Sequence, residues 1–219
     1  TGVVVGSDPL SRKENGVIQT PDWYRQDVSR ETLEKLTAYA ALLRKWTVKI
    51  NLVSKASEAD LETRHIWDSA QIFDGQSGDW LDFGSGGGLP AVVVGVLAHG
   101  QGRHLSLTMV ESDQRKATFL RTCARELDVP FEVSTQRVED LATHAANTVS
   151  ARALASLDAL LGMAVPHLAD GGTCVFMKGE AWAQELEVAR QNWRFSCDAT
   201  PSKTNEKAAI LRIKDIERV

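Results

Sequence analysis

Apolar residues at intervals of three and four positions predict an amphipathic helix after residue 29. The apolar stripe consists of Leu33, Leu36, Ala40, Leu43 and Trp46. Ser29 stands directly before this pattern, where a hydroxyl group can cap the first turn of a helix. After a break at residues 51–53, Ser57 opens a second helical pattern over residues 58–73. The two patterns predict a helical extension in the N-terminal part of the chain.

From residue 79 onward, short apolar runs alternate with helical patterns. The predicted strands cover residues 80–83, 105–110, 131–134, 148–151 and 173–177, and the predicted helices cover residues 89–98, 114–127, 157–168 and 181–190. An Asp-Gly-Gly segment at 170–172 is expected to close the third helix. This alternation is typical of a parallel sheet with helices on both faces. Two last strands, 194–198 and 209–213, have only a polar turn between them, which predicts an antiparallel hairpin.

These patterns divide the chain into three parts. Residues 1–21 lack periodicity and are rich in glycine, serine and charged residues, so we expect them to be a disordered or tag-like tail. Residues 22–75 form the helical extension, and residues 76–219 form the α/β domain. The sequence has no internal repeat and no low-complexity tract.

Composition excludes several classes of protein. The chain has 219 residues and no apolar run of membrane-spanning length, so we expect no contact with a membrane. Its three cysteines, Cys123, Cys174 and Cys197, are scattered and have no metal-ligand spacing, which favours free thiols in the reducing cytoplasm over a disulfide framework or a metal site. Because the net charge is −4, any contact with nucleic acid needs a local basic surface.

A glycine-dense turn follows the first strand of the α/β domain. Asp82, Gly84, Gly86 and Gly88 alternate with other residues, and Leu89 occupies the position where a dinucleotide-binding fingerprint has its third glycine. The spacing therefore disfavours an NAD-dependent oxidoreductase, which remains an alternative. It looks like motif I of the Rossmann-like methyltransferases that bind S-adenosylmethionine. A tight turn without a ligand is the other interpretation.

Polar residues follow the other strands at the edge where open α/β sheets bind ligands. Glu111 follows the second strand, where a carboxylate accepts hydrogen bonds from ribose hydroxyl groups, or else caps the next helix. Val138 and Glu139 follow the third strand, where their backbone faces an adenine ring or solvent. Arg152 follows the fourth strand and is either a ligand for an anionic group or a structural ion-pair partner. Lys178 follows the fifth strand and is either a phosphate ligand or an ordinary strand-end lysine.

The helical extension carries a second set of polar residues. His65, Asp68 and Ser69 suggest a hydrolase, but they lie within about one helical turn and no nucleophile elbow precedes them. They are better interpreted as half-buried structural residues or as the lining of a substrate cleft. The candidate RNA-binding cations of the extension are Arg44, Lys45, Lys49, Lys55 and Arg64, for which a solvated helix face is the alternative.

Six motifs together resemble one known family. They are NLVS (51–54), RHIWDS (64–69), GSGGGLP (84–90), QRVE (136–139), SARA (150–153) and KG (178–179). In this order they are similar to motifs of the bacterial 16S rRNA guanine-N7 methyltransferases, the RsmG or GidB family. The chain departs from the family pattern at Ala91, where the family usually has glycine, and at Ala151, which separates Ser150 from Arg152.

The resemblance implies a fold, a cofactor and a substrate. The implied fold is the Rossmann-like class I S-adenosylmethionine-dependent methyltransferase fold, preceded by a helical extension. The matching cofactor positions are Gly84, Gly86, Leu89, Glu111, Val138, Glu139 and Arg152. The implied partner is 16S rRNA or the small ribosomal subunit, with contacts from Arg44, Lys45, Lys49, Arg64, His65 and Lys178. A monomer is favoured.

The implied chemistry agrees with what the sequence lacks. Guanine N7 has an in-plane lone pair and no proton, so its methylation needs no general base and no catalytic residue is expected. The cysteines lie within a helix or strands, which disfavours a cysteine nucleophile for pyrimidine C5 methylation. The motif of exocyclic amino methylation is also absent at residues 150–154. A methyltransferase with a small-molecule substrate and a non-catalytic RNA-binding scaffold remain as alternatives.

Overall fold

A seven-stranded sheet forms the centre of the computed structural model, which describes residues 16–54 and 59–219. The strands are β1 (Gly78–Phe83), β2 (Leu105–Val110), β3 (Glu132–Ser134), β4 (Ala146–Arg152), β5 (Leu168–Lys178), β6 (Trp193–Pro201) and β7 (Ala209–Arg218). Their order is β3-β2-β1-β4-β5-β7-β6. Strands β1 to β5 are parallel, and β7 runs antiparallel between β5 and β6. The predicted mostly parallel sheet with a C-terminal hairpin is confirmed.

The N-terminal amphipathic helix is also present, as α1 (Arg30–Ile50). The Ser29 hydroxyl accepts a hydrogen bond from the Thr32 backbone N–H at 3.2 Å and so caps the first turn. Asn51 ends the helix in the left-handed conformation. Leu36, Ala40 and Leu43 are buried, as the stripe predicts.

The second predicted helix differs in the structure. Its expected start at Ser57 and residue 58 lies outside the described residues. The described part is a π-helical segment (Glu62–Trp67) that continues into α2 (Asp68–Ala70). It ends before the predicted residue 73 because the backbone then closes with shorter turns, with the N–H of Phe73 donating to the Ala70 carbonyl at 3.2 Å.

Four more helices connect the strands. They are α3 (Ala91–Gly100), α4 (Gln114–Leu127), α5 (Leu157–Ala164) and α6 (Trp182–Ala189). The prediction extended α5 too far and began β5 too late. A 3₁₀ turn (Val165–His167) follows α5, because Pro166 has no N–H to continue an α-helix, and β5 begins at Leu168. The expected glycine stop at 170–172 is therefore an irregular part of β5, opposite a register shift in β4.

The predicted disordered tail is wrong for its last residues. Residues 1–15 lie outside the described part of the chain. Residues 16–21 lie against α1, where Ile18 is only 3% exposed. The backbone N–H of Ile18 donates to the Thr37 hydroxyl at 2.9 Å. The helical extension therefore has an ordered lead-in on its N-terminal side.

The helical extension shares a hydrophobic core with the sheet. Leu36 and Leu43 of α1 belong to the same cluster as Val92 of α3 and Leu120 of α4. A second cluster contains side chains of β4, β5, β7 and α5. Strand β1 has β2 on one side and β4 on the other, so the chain order reverses at β1 and a crevice opens beyond its carboxyl end. No described helix is both long and apolar enough to span a bilayer.

Candidate active site

The glycine turn after β1 lies at this crevice, and its glycines have different tasks. Gly84, Gly86 and Gly88 have φ values of 61°, 53° and 82°, which L side chains rarely adopt. A Cβ on Gly88 would lie 2.5 Å from Val92 Cγ2, so this glycine is needed for packing. A Cβ on Gly86 would meet only the Gly84 carbonyl, at 3.7 Å. Gly86 therefore leaves open space above the turn.

Glu111 lies beside this open space. One oxygen of its carboxylate accepts the backbone N–H of Gly86 at 2.8 Å, and the other accepts the N–H of Asp113 at the same distance. The Glu111 side chain is buried but borders a pocket. Because a carboxylate offers about four lone-pair sites, two remain for a ligand such as a ribose diol.

The pocket beyond the glycine turn has a volume of about 380 Å³. Five of the seven predicted cofactor residues line it, namely Gly84, Gly86, Glu111, Val138 and Glu139. The sequence interpretation missed Ser112, Lys116, Leu154 and Met163, which also line it. Leu154 follows the end of β4, so the rule that ligands bind beyond the carboxyl ends of the strands could have identified it. Met163 lies within α5, and no sequence pattern marks it as a pocket residue.

The other two predicted cofactor residues lie elsewhere. Leu89 is packed in the hydrophobic cluster that contains Tyr39 and Leu43. Arg152 lines a neighbouring cleft of about 920 Å³. The segment 153–155 lines both spaces and so forms the border between the pocket and the cleft.

Arg152 joins the end of β4 to the helical extension. Its Nη2 donates to the Arg64 carbonyl at 3.2 Å and lies 3.6 Å from an Asp68 carboxylate oxygen. Its Nη1 is buried, and none of the described residues offers it a hydrogen-bond partner. Burial lowers the pKa of Arg152, an effect that the Asp68 charge opposes. The guanidinium group thus forms a structural ion pair at the wall of the cleft.

His65 contacts the same guanidinium group. Its Nδ1 lies 3.0 Å from Arg152 Nη2, and arginine can only donate, so Nδ1 is the acceptor. Burial, and next the Arg152 charge, lower the pKa of His65 to about 4. The ring is therefore neutral at pH 7, and its proton is on Nε2.

Asp68 connects three parts of the fold at this cleft. Besides Arg152, its carboxylate accepts hydrogen bonds from the hydroxyl groups of Ser202 at 3.0 Å and Thr204 at 2.5 Å. Both residues belong to the turn between β6 and β7, which the sequence interpretation did not assign to the site. Asp68 and its partners therefore hold the extension, β4 and the C-terminal hairpin together.

Lys178 lies in the cleft wall with its charge already paired. The Nζ atom is 2.6 Å from a Glu185 carboxylate oxygen and donates to the Ala155 carbonyl at 2.8 Å. The same Glu185 oxygen accepts the backbone N–H of Leu157 at 2.7 Å. This buried ion pair fixes the border segment 153–155 to β5 and α6.

A buried cluster of polar side chains lies next to the end of β1, directly before the glycine turn. The Ser150 hydroxyl donates to the Asp82 carboxylate at 2.5 Å and accepts from the Trp80 indole N–H at 2.8 Å. The second carboxylate oxygen of Asp82 has no partner among the described residues. Burial raises the pKa of Asp82 to about 7, although the hydrogen bond from Ser150 opposes the shift.

The predicted basic residues of the extension do not form one patch. Arg64 lines the cleft, and Arg44 lies 3.5 Å from a Glu62 carboxylate oxygen. Lys45 and Lys49 border a separate groove between α1 and α4, next to Arg125. Lys55 lies outside the described residues.

Comparison with known proteins decides among these interpretations. A family model described as rRNA small subunit methyltransferase G, or GidB, matches residues 32–211. The chain belongs to this family. The resemblance of the six motifs is thereby confirmed, and with it the expected methyltransferase class.

Relatives in this family match nearly their whole length. A protein from Ruegeria sp. (strain TM1040), named Ribosomal RNA small subunit methyltransferase G, is 51% identical over 88% of this chain and 95% of its own. A relative of the same name from Ruegeria pomeroyi is 47% identical over 92% of this chain and 100% of its own.

A solved structure agrees with the fold of this chain. A Listeria monocytogenes protein described as a class I S-adenosylmethionine-dependent methyltransferase superimposes with a TM-score of 0.56 at 12% identity. The match covers 84% of this chain and 68% of that protein. The predicted class I fold is confirmed.

Proposed function

We propose that this protein transfers a methyl group from S-adenosylmethionine to N7 of a guanine in 16S rRNA, within the small ribosomal subunit of the cytoplasm. The observation that carries the proposal is the open space above Gly86, which faces the Glu111 carboxylate in a pocket at the reversal point of the sheet. This space borders the pocket, whereas the Cβ positions of the neighbouring Gly84 and Gly88 are blocked by side chains. Family membership supports the reaction and the class of substrate.

The pocket residues fit the parts of this cofactor. Glu111 has acceptor sites left for the two ribose hydroxyl groups, and the backbone at Val138 and Glu139 borders the space for the adenine ring. Gly86 allows the methionine portion to approach the main chain, and Gly84 lines the same pocket beneath Leu154. Leu89 stabilises the turn by packing in the cluster that contains Tyr39 and Leu43, and Arg152 lines the adjoining cleft.

In the reaction, the residues of this chain align the guanine with the methyl donor and exclude water. S-adenosylmethionine, when bound, supplies an electrophilic methyl group. Guanine N7 needs no deprotonation, so the residues have to hold N7 in line with that methyl group. His65 is neutral, and the Arg152 charge is paired with Asp68, so the cleft does not present strong net positive charge to the purine cation that forms.

RNA contact involves two surfaces in this proposal. Arg64 and His65 line the cleft that receives the base, with Lys178 fixing its wall. Lys45 and Lys49, with Arg44 nearby on α1, contact phosphates farther along the strand. All of these residues belong to one chain, so the proposed contact with rRNA needs no second copy of the protein.

The test is a methylation assay with a matched binding measurement. Small ribosomal subunits and deproteinised 16S rRNA from a strain lacking the gene are incubated with the protein and labelled S-adenosylmethionine, and the modified nucleoside is identified by mass spectrometry. We expect 7-methylguanosine. Calorimetry should give binding of S-adenosylmethionine and not NAD, and Glu111→Ala should weaken that binding by tenfold or more.

The alternatives give different results in the same experiment. A small-molecule methyltransferase would bind S-adenosylmethionine without labelling either form of the RNA. A non-catalytic scaffold would bind RNA and leave its methylation unchanged when the gene is deleted. Tight binding of NAD without S-adenosylmethionine would contradict the proposal entirely.

A further inference from the structure

Leu154 is an exposed apolar residue on the border between the pocket and the cleft. It lies two residues after the end of β4, is 40% exposed, and lines both spaces. In the described part of the chain, the other exposed large apolar side chains are Val48, Val188 and Val219, and none of them lines either space. Exposure at this place is therefore a property of the site.

The structure holds Leu154 firmly in this position. Ala153 takes the left-handed conformation with φ of 51°, which is unusual for a residue with a Cβ. On the other side, the Ala155 carbonyl accepts a hydrogen bond from Lys178, whose charge is paired with Glu185. An ordinary loop residue needs neither a strained backbone before it nor a partly buried ion pair to fix the residue after it.

Leu154 also lies on the glycine turn. Its Cδ1 is 2.7 Å from the position that a Cβ on Gly84 would occupy, so the absence of a side chain at Gly84 gives room to Leu154. The leucine therefore covers the turn at the point where the cofactor pocket meets the cleft. Around it, the cleft is lined by polar side chains that include Asp68, Arg152 and Thr204.

We propose that Leu154 is the apolar surface against which the target purine packs during methyl transfer, with the 920 Å³ cleft as the site for the base. This inference rests on the proposed function. A base that leaves its stack in RNA needs a new partner for its flat face, and an apolar side chain supplies one without competing for N7. Covering Leu154 with the base also removes water from the path between N7 and the methyl donor.

The experiment compares Leu154→Ala with Val188→Ala, a truncation at a similarly exposed apolar position in α6. Because both side chains are exposed, both variants should keep the thermal stability of the unsubstituted protein. For Leu154→Ala we expect an S-adenosylmethionine affinity within about twofold of normal and a transfer rate at saturating cofactor reduced by roughly tenfold or more. Leu154→Met keeps the apolar area and should keep the rate within about threefold.

Three outcomes overturn the inference. Equal transfer rates for Leu154→Ala and Val188→Ala show that the leucine does not contact the base. A weakened cofactor affinity with a normal rate at saturation assigns Leu154 to the cofactor pocket alone. An unsubstituted protein that binds S-adenosylmethionine but labels no rRNA refutes the proposed function, and the inference fails with it; this result is visible before any variant is made.

Discussion

Gly86 and Gly88 are two residues apart in one turn, yet only one of them faces open space. Gly86→Ala places a Cβ whose nearest neighbour, the Gly84 carbonyl oxygen, is 3.7 Å away. The free energy of unfolding should therefore fall only by the cost of a left-handed backbone at a residue with a Cβ, about 1–2 kcal/mol. Gly88→Ala adds a contact of 2.5 Å with Val92 and should destabilise the fold further. We therefore expect Gly86→Ala to lower the affinity for S-adenosylmethionine at least tenfold in a stable protein.

Calorimetry and thermal unfolding of the two variants separate these effects. Gly88→Ala serves as the control for loss of binding caused by a damaged fold. Normal cofactor affinity in a folded Gly86→Ala variant would show that the space above this glycine is not used by the ligand.

Asp82 should make the stability of the protein depend on pH. Its pKa is raised to about 7 in the folded state, so the native protein holds a proton that the unfolded chain releases near pH 4. This contribution to stability is present below pH 4 and is lost as the pH rises through 7. Between pH 5 and pH 8 the unsubstituted protein should lose roughly 2–3 kcal/mol relative to Asp82→Asn.

Urea unfolding of both proteins at the two pH values measures this difference. His65, whose pKa is lowered to about 4, acts in the opposite direction because its stabilising contribution is lost as the pH falls below its usual value. It is present in both proteins, so its effect cancels in the comparison. Parallel pH curves for the two proteins would contradict a raised pKa at Asp82.

Among the elements, the ion pair between Arg152 and Asp68 joins β4 to the helical extension. Their side chains are 21% and 14% exposed and 3.6 Å apart at Nη2 and Oδ2, so solvent screens the pair only in part. A double-mutant cycle with Arg152→Ala and Asp68→Asn should give a coupling free energy of about 0.5–3 kcal/mol in urea unfolding. Asp68→Asn keeps an oxygen acceptor for Ser202 and Thr204.

The same variants test the second task of Arg152. The Arg152 side chain lines the cleft, so Arg152→Ala should lower methyl transfer by a larger factor than Asp68→Asn does. Thermal stabilities of the two single variants provide the control. Additive effects of the two substitutions on stability would show that the ion pair contributes nothing. Equal losses of activity that follow the losses of stability would show that Arg152 has only a structural role.

Because the whole molecule has a net charge of −4, its binding to RNA depends on local basic surfaces. If Lys45 and Lys49 contact phosphates, replacing both with alanine should reduce the slope of log affinity against log salt concentration by about 1.4–1.8. Replacing Arg103 and Arg194, which lie at the opposite end of the sheet, removes the same charge and should leave the slope almost unchanged. Filter binding of 16S rRNA over a salt series makes the measurement; equal slopes for both double variants would exclude the groove between α1 and α4.

The sequence predicted those features whose signal is local. Glu111 and the glycine turn could be found because each directly follows an apolar run, and the carboxyl ends of parallel strands meet at one edge. The amphipathic stripe of α1 likewise has its full period within one segment. The mostly parallel sheet then follows from the alternation of elements, and the final hairpin from the polar turn between the last two strands.

Features that depend on distant partners could not be predicted in this way. Asp68 and Ser202 are 134 positions apart, and no property of either residue indicates their hydrogen bond. The π-helical segment is not indicated by the spacing of apolar residues, which predicts an ordinary α-helix there. Lys178 follows a strand as the rule requires, but only the structure pairs its charge with Glu185.

One hydrogen bond constrains how this protein can be re-engineered. The Tyr39 hydroxyl of α1 donates to the Gly87 carbonyl in the middle of the glycine turn, at 2.5 Å. Exchanging the N-terminal helices for those of another RNA-directed enzyme would thus also alter the mouth of the donor pocket. A chimaera with a different N-terminal extension should therefore keep a tyrosine at this position, so that the turn beside the pocket keeps its hydrogen bond.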